Sequence, residues 1–319
     1  MHFQIASDFH LEKLKDYDIN ELGYMRMANI KKLNTQLTYL EKENNRFFNF
    51  FAFNIGTNHY WDYQWENGNS GMRIDSWIRL NNWYQIMLEY RNSFGGYNRT
   101  ITRGGPVASI PIYHMLGLRI RSDERKKIQT SFKINNRNAE GGEYDRFYKF
   151  DFNYRPNPRW EIELELFLKN EYDEDQYIST IEDKYATQTY GNRYIFSDIT
   201  NNSKGMSFEA SMLHSPKLSF QFFFRPEFGN YHYQGLKEFK TPGKFDFHYY
   251  DIDQITEIDT TTIEIDPDGA GQAQAFTLSK DYLRGFNFLS LRSNFILKWE
   301  FKPGSTMYLV WQQQRDHYE

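Results

Sequence analysis

The chain has no cysteine. A disulfide framework and a thiolate metal centre are therefore excluded, and an oxidising compartment is permitted without being required. Nor does it contain a run of the roughly 18–20 apolar residues that a membrane helix needs, so any membrane contact has to be made by strands. Basic residues are not in excess: 38 Lys and Arg stand among 42 Asp and Glu, for a net charge of −4. That is not the electrostatic footprint of a nucleic-acid binder, and no nucleic-acid partner is expected. The 20 glycines and 9 prolines are too few for a disordered composition and act as punctuation. The 8 histidines never fall in a His-x-x-x-His or similar spacing, which argues against zinc. A Gly-x-Ser-x-Gly nucleophile elbow is also missing. The opening residues Met1-His2-Phe3-Gln4-Ile5 lack a basic segment followed by an apolar one, so an export signal is expected to have lain upstream of a fragment.

What the chain does have is aromatic surface. It carries 28 Phe, 24 Tyr and 7 Trp at a mean hydropathy of −0.78, with 39% of residues hydrophobic. Many large apolar groups at so low an average suit a strand in which one residue in two faces hydrocarbon and the next faces water.

The period-two pattern that such strands require recurs along the sequence. In Trp160-Glu161-Ile162-Glu163-Leu164-Glu165-Leu166-Phe167-Leu168-Lys169, five apolar residues alternate with acids and a lysine. Leu289, Leu291, Phe295, Leu297, Trp299 and Phe301 alternate with Arg292, Asn294, Lys298 and Glu300, and Leu218, Phe220, Phe222 and Phe224 with Ser219, Gln221 and Arg225. Ile112–Ile120 shows the same habit. Further strands are expected near His2–Phe9, Asn34–Tyr39, Phe47–Tyr60, Gly71–Leu80, Trp83–Phe94, Lys127–Asn135, Tyr144–Tyr154, Tyr190–Ile199, Ser207–Leu213 and Thr306–Gln313, about 14 in all. Tight turns rich in Pro, Asn and Gly fall at Tyr154–Arg159, His214–Pro216, Phe301–Ser305 and Asn81–Asn82. Long polar connections are expected at Asn170–Gln188 and Gly229–Arg284, with a loop or short helix at Leu11–Lys32. Short turns at one end and long loops at the other are the habit of outer-membrane barrels.

Asp18-Ile19-Asn20-Glu21-Leu22-Gly23-Tyr24, Thr102-Arg103-Gly104-Gly105-Pro106, Tyr190–Asp198, Phe286–Asn294, Trp299–Ser305 and Val310-Trp311-Gln312-Gln313 form a series in fixed order. It resembles the C-terminal barrel region of a family of large Gram-negative proteins of unknown function, described as carbohydrate-binding family 9-like. The resemblance covers about Asp8 to Arg315. It implies an exported precursor in which a carbohydrate-binding β-sandwich precedes an outer-membrane barrel, with a last strand ending in an aromatic beyond the present Asp316-His317-Tyr318-Glu319.

Several motifs carry two readings. Arg103-Gly104-Gly105-Pro106 could cradle an anion with backbone amides, but a tight bend is the stronger reading, and Pro303-Gly304 is a turn of the same kind. Asp266-Pro267-Asp268-Gly269 concentrates oxygen ligands and could hold Ca²⁺ through Asp266 and Asp268, although it lacks EF-hand spacing and forms a turn unaided. Asp173, Glu174, Asp175, Asp251 and Asp253 read as solvated loop charge. Glu161, Glu163 and Glu165 have a spacing that glycosidase carboxylates use, but three acids on one strand face more often line a wet lumen and pair with neighbouring cations. Tyr60, Trp61, Tyr63 and Trp65 could stack on sugar rings; the girdle of a barrel explains them more simply.

The expectation is an all-β chain, residues 1–319, forming an antiparallel, up-and-down, transmembrane β-barrel that is incomplete. It is expected in the outer membrane, non-enzymatic in itself and without cofactor unless Ca²⁺ binds. It would anchor a carbohydrate-binding module and take part in glycan or solute handling, with lipid, glycans and other outer-membrane proteins as partners. The alternative is a soluble or surface-exposed glycoside hydrolase or carbohydrate-binding all-β protein.

Overall fold

The computed structural model describes residues 2–12, 30–269 and 271–319. Most of the Leu11–Lys32 connection, and the Asp18–Tyr24 motif within it, lie outside the described residues. In chain order the strands are β1 (His2–Glu12), β2 (Ile30–Glu41), β3 (Phe48–Trp61), β4 (Asn69–Leu80), β5 (Gln85–Asn98), β6 (Ala108–Ile110), β7 (Tyr113–Arg121), β8 (Ile128–Ala139), β9 (Tyr144–Asn157), β10 (Trp160–Glu182), β11 (Asn192–Ser215), β12 (Leu218–Phe239), β13 (Phe247–Tyr249), β14 (Ile255–Glu257), β15 (Thr262–Ile265), β16 (Phe276–Ser279), β17 (Phe286–Lys302) and β18 (Ser305–Tyr318). Helix is confined to four short 3₁₀ turns among the described residues, and none is long and apolar enough to cross a membrane.

Thirteen strands form one meander in the order β1-β2-β3-β4-β5-β7-β8-β9-β10-β11-β12-β17-β18, each antiparallel to its neighbours. The sheet is open. Because the strand count on this path is odd, the two edges, β1 and β18, run in the same direction. Joining them directly would need a parallel pair, whereas antiparallel barrels close with an even number of strands as a rule.

Register keeps the sequence pattern coherent across the sheet. Leu164 lies opposite Phe152 and Phe208, and Leu166 opposite Phe150 and Met206. Phe208 faces Phe224, Phe222 faces Phe295, and Phe295 faces Trp311, so the apolar positions of successive strands share one face. That face continues through Phe132 and Ile120 to Ile86, Ile78 and Phe51 at the other side. A shift of one residue in any strand would turn its apolar set to the opposite face, which pins the register.

The other face is polar, and its charges are paired. Lys149 reaches Glu165 at 2.6 Å and Asp151 at 3.2 Å, and Arg73 reaches Asp75 at 2.8 Å and Glu89 at 3.2 Å. Arg91 joins Glu89 at 2.6 Å, Arg119 joins Asp151 at 3.6 Å, and Arg155 holds Glu161 with Glu163 at 3.7 Å. Glu161, Glu163 and Glu165 are thus members of a cross-strand ladder of ion pairs.

The connections differ between the two ends. At one end they span 42–47, 81–84, 122–127, 158–159, 216–217 and 303–304, so the turns expected from Pro, Asn and Gly sit where strands reverse. Gly304 takes φ +77°, which a glycine adopts without a Cβ clash. At the other end the connections include 62–68, 99–112, 183–191 and 240–285.

Three expectations are corrected here. Asn170–Gln188 is strand through Glu182, because bulges between Asp173 and Gln176 and between Tyr177 and Ser179 absorb the break in alternation. The expected strands Tyr190–Ile199 and Ser207–Leu213 are one 24-residue strand, β11, which accounts for thirteen strands where about 14 were counted. Gly229–Arg284 is strand through Phe239, and the rest of it carries β13–β16.

The long upper halves of β10, β11 and β12 stand beyond the apolar face, and the buried core lies there. Ile195 and Leu236 on one face pack with Ile263, Ile265, Phe276, Leu278 and Tyr250 of the 240–285 connection. Tyr194, Phe196 and Phe239 on the other face pack with Ile101 and Ala108 of the 99–112 connection. Neighbouring residues of β11 point to opposite faces, so both faces of the projecting strands are covered.

Candidate functional site

Between the apolar face and the projecting part runs a row of polar residues in direct cross-strand register. Asn136 faces Arg146, Arg146 faces Asn170, Asn170 faces Asn202, Asn202 faces Asn230, and Asn230 faces Asn287. Asn170 bonds Asn202, and the Asn230 amide donates to Asn287 at 2.7 Å. The row ends the apolar alternation of six strands at one level.

Above it lies the most polar buried site of the described residues. Lys237, with no exposed surface, donates to Asp198 at 2.6 Å and to the Tyr249 hydroxyl at 3.0 Å. Tyr249 and Tyr172 donate in turn to Asp198, at 3.1 and 3.0 Å. The Lys237 ammonium also lies 4.5 Å from the Phe247 ring centroid and 4.7 Å from that of Tyr249. Every charge is met by an opposite charge, a hydroxyl or a ring face, as burial requires. On the adjoining part of β11, Arg193 binds Asp183 at 2.8 Å and Glu238 at 2.5 Å, and Tyr250 donates to Glu238 at 2.9 Å.

Three carboxylates converge beside this network. Glu143, Asp173 and Asp175 each place an oxygen within 4.8 Å of the others, and Glu143 is 6% exposed. Among the described residues this is the group of acids close enough together to share a hard cation, supplying three of the roughly six to eight oxygens that Ca²⁺ takes. Burial, reinforced by the Asp173 carboxylate, pushes Glu143 up to about 7 despite Arg137 at 3.3 Å. Burial and a hydrogen bond to Asp173 push Asp175 up to about 8. Asp173, Glu174 and Asp175 are therefore not solvated loop charges: they lie in the bulged part of β10, half-buried beside the 140–143 connection.

A pH dependence follows. Both groups hold in the fold a proton that the unfolded chain releases near pH 4, so their contribution to stability is complete below about pH 4 and is lost as pH rises through 7 and 8. The projecting part is expected to become more susceptible to protease from pH 5 to pH 9. Asp175→Asn, which keeps the shape without the charge, flattens that dependence and protects the site at pH 9.

Of the residues singled out in the sequence, Asp173, Glu174 and Asp175 belong to this region, whereas the aromatic cluster and the Asp266–Gly269 turn lie apart from it. Tyr60 and Trp61 are neighbours at the end of β3 and point to opposite faces. Trp61 packs on Trp65 at 5.8 Å, while Lys31, 7% exposed, donates to the Tyr63 carbonyl and lies 3.7 Å from the Trp65 ring centroid. Tyr63 and Trp65 lie over Lys31 while Tyr60 lies over Lys32, so the four rings do not form one flat platform, although Trp65 is 62% exposed. The Asp268 carboxylate accepts from the Ala273 amide at 3.0 Å, and Asp266 sits beside Gln254, whose side chain binds the Pro267 carbonyl; neither aspartate belongs to the converging acids.

Arg103–Pro106 is a bend, with φ +53° at Arg103 and +110° at Gly104, closed by the Thr102 hydroxyl on the Pro106 carbonyl at 2.8 Å. The Arg103 guanidinium lies 4.1 Å from the Tyr177 ring centroid. A Cβ on Gly105 would come within 2.1 Å of the Tyr194 hydroxyl, so the bend seats on β11 only if residue 105 has no side chain. Gly105→Ala is expected to lower stability by about 1–3 kcal/mol, as overpacking does, measured as a drop in the urea midpoint.

Lys237, Asp198 and Glu143 escape a reading of the sequence because each is one charged residue among many. The available signal was Leu236-Lys237-Glu238-Phe239, where charges interrupt apolar residues in a segment with no turn former.

Comparison with curated proteins and with solved structures finds no significant match. Residues 2–319 match the family model described as "Domain of unknown function (DUF5916)", and the chain belongs to that family.

Proposed function

We propose that this domain is the wall of an outer-membrane β-barrel whose projecting strands carry a folded cap on the outer side. The apolar face bounded by the asparagine row is the observation that supports this reading most strongly. From Trp160 to Asn170 is ten steps along β10, about 33 Å at ~3.3 Å per residue; at a tilt of about 35–45° that gives a height of about 23–27 Å, against the ~25 Å apolar band of such barrels. The ion-paired polar face suits a water-filled lumen, and the unequal connections suit an outer side that carries the long loops.

In this reading the domain anchors a carbohydrate-binding module to the cell surface and takes part in handling glycans or other solutes. The hydrolase reading has little to rest on. Glu161 and Glu163 are tied to Arg155 and Asn153, and the polar hollow of about 340 Å³ that Glu163 lines is occupied by the same cross-strand ion pairs.

The test is the precursor in outer-membrane vesicles. Heat-modifiable gel migration and a protease-protected fragment spanning β2–β18 are expected. A fragment digested completely, with unchanged migration, would overturn the proposal.

A further inference from the structure

The polar face satisfies its cations internally: Arg73, Arg91, Arg119, Lys149 and Arg155 all meet carboxylates. The apolar face does not. At its upper rim stand Arg146 of β9, Lys204 of β11 and Arg315 of β18, all exposed. Arg146 belongs to the asparagine row. Lys204 lies opposite Leu168 and Phe228, the last apolar positions below that row, and Arg315 lies opposite Leu291, one apolar position further down than Leu289. No carboxylate among the described residues pairs with any of the three. The Arg146 guanidinium lies 4.8 Å from the Tyr144 ring centroid, the Lys204 ammonium 5.4 Å from that of Phe228, and the Arg315 guanidinium donates to the Gln313 side-chain carbonyl, so each charged head rests on a ring or an amide and none meets an opposite charge. The nearby acids are engaged elsewhere: Glu319 with His317 at 3.0 Å, Glu227 with Arg225 at 3.5 Å, and Asp316 with Ser290 at 2.7 Å.

Immediately below these cations the apolar face forms an open hollow of about 950 Å³, walled by Leu166, Leu168, Met206, Phe224, Phe228 and Leu291, with Lys204 and Arg315 at its margin. Apolar walls beneath unpaired cations match one ligand chemistry. An acyl chain suits such a hollow, and an anionic phosphate suits the cations at its margin.

We propose that this rim binds anionic, phosphate-bearing lipids, with Arg146, Lys204 and Arg315 as separate headgroup contacts spread along it from β9 to β18 and the hollow as a seat for acyl chains. The site rests on the membrane reading above. It adds to that reading a lipid specificity at the rim on the long-loop side.

The test is lipid retention. The full chain is reconstituted into phosphatidylcholine vesicles containing a minor fraction of phosphatidic acid and mildly extracted, and the lipid it keeps is counted by mass spectrometry. Phosphatidic acid is expected to be enriched over phosphatidylcholine, with about a fivefold loss of that preference for each cation removed in Arg146→Gln, Lys204→Gln and Arg315→Gln. Lys204→Arg is expected to retain it. Equal retention by the wild type and the triple variant would overturn the site. Inorganic phosphate that erased the preference with acyl chains making no difference would assign the cations to the free anion and also overturn it. A chain that fails to float with any vesicle would sink the membrane reading itself, a separate and recognisable failure.

Discussion

Leu164→Arg is expected to destabilise the chain in a bilayer by about 2–4 kcal/mol, the cost of an arginine near the midplane of the lipid-facing side of a barrel. Leu164 lies near the middle of the apolar stretch of β10, between Phe152 and Phe208, well below Asn170. From there a guanidinium cannot reach the asparagine row without leaving the strand it packs on. The contrast is with Glu165→Gln one residue along, which turns to the polar face beside Lys149 and Asp151. That change removes one partly exposed ion pair and is expected to cost no more than about 1 kcal/mol. Urea unfolding from vesicles measures both. Equal effects at the two positions would mean that the faces do not meet different solvents.

Lys237→Met is expected to cost about 3 kcal/mol or more, since removing one partner of a buried pair strands the other charge. Asp198 would keep its bonds from Tyr172 and Tyr249, which places the cost toward the lower end of the usual 3–5 kcal/mol. The loss is local: the upper halves of β11 and β12 carry the 240–285 connection on Ile195 and Leu236, so the cap is expected to open before the sheet does. Early proteolysis within residues 240–285, with the strands below the asparagine row still protected, is the expected pattern. Replacing both partners, Lys237→Met with Asp198→Leu, is expected to restore only part of the stability, because it removes both charges but leaves the Tyr172 and Tyr249 hydroxyls without the carboxylate they donate to.

The sheet was legible where its two faces meet different surroundings. From Trp160 to Lys169 the alternation holds at every position but Phe167, and the register gathers its apolar set on one face. Legibility stopped at Asn170. In Asn170–Asp175 both faces are polar, and the bulge after Asp173 breaks the period, so a strand of 23 residues looks like a strand and a loop. Thr200-Asn201-Asn202-Ser203-Lys204-Gly205 likewise has the composition of a turn, yet β11 runs straight through it, paired on both sides. The same asparagines that disguise the strand mark the upper limit of the apolar face once the register is known. The buried site was hidden for a related reason. Lys237 and Asp198 lie 39 residues apart and are joined only by the pairing of β11 with β12, while the acids around Asp175 resemble solvent-facing charge until the 140–143 connection is laid over them. The open edges at β1 and β18 belong to the strand order as a whole, which no local pattern expresses.

The central claim is that alternate residues of the same strands meet lipid and water. A chain with no cysteine allows this to be measured one site at a time. Single cysteines at Leu164, Leu166 and Phe224 on one face, and at Glu163, Glu165 and Arg225 on the other, are exposed in native outer-membrane vesicles to a small water-soluble maleimide. The account predicts labelling at Glu163, Glu165 and Arg225, and protection at Leu164, Leu166 and Phe224 until detergent is added. Labelling of all six before detergent would contradict it.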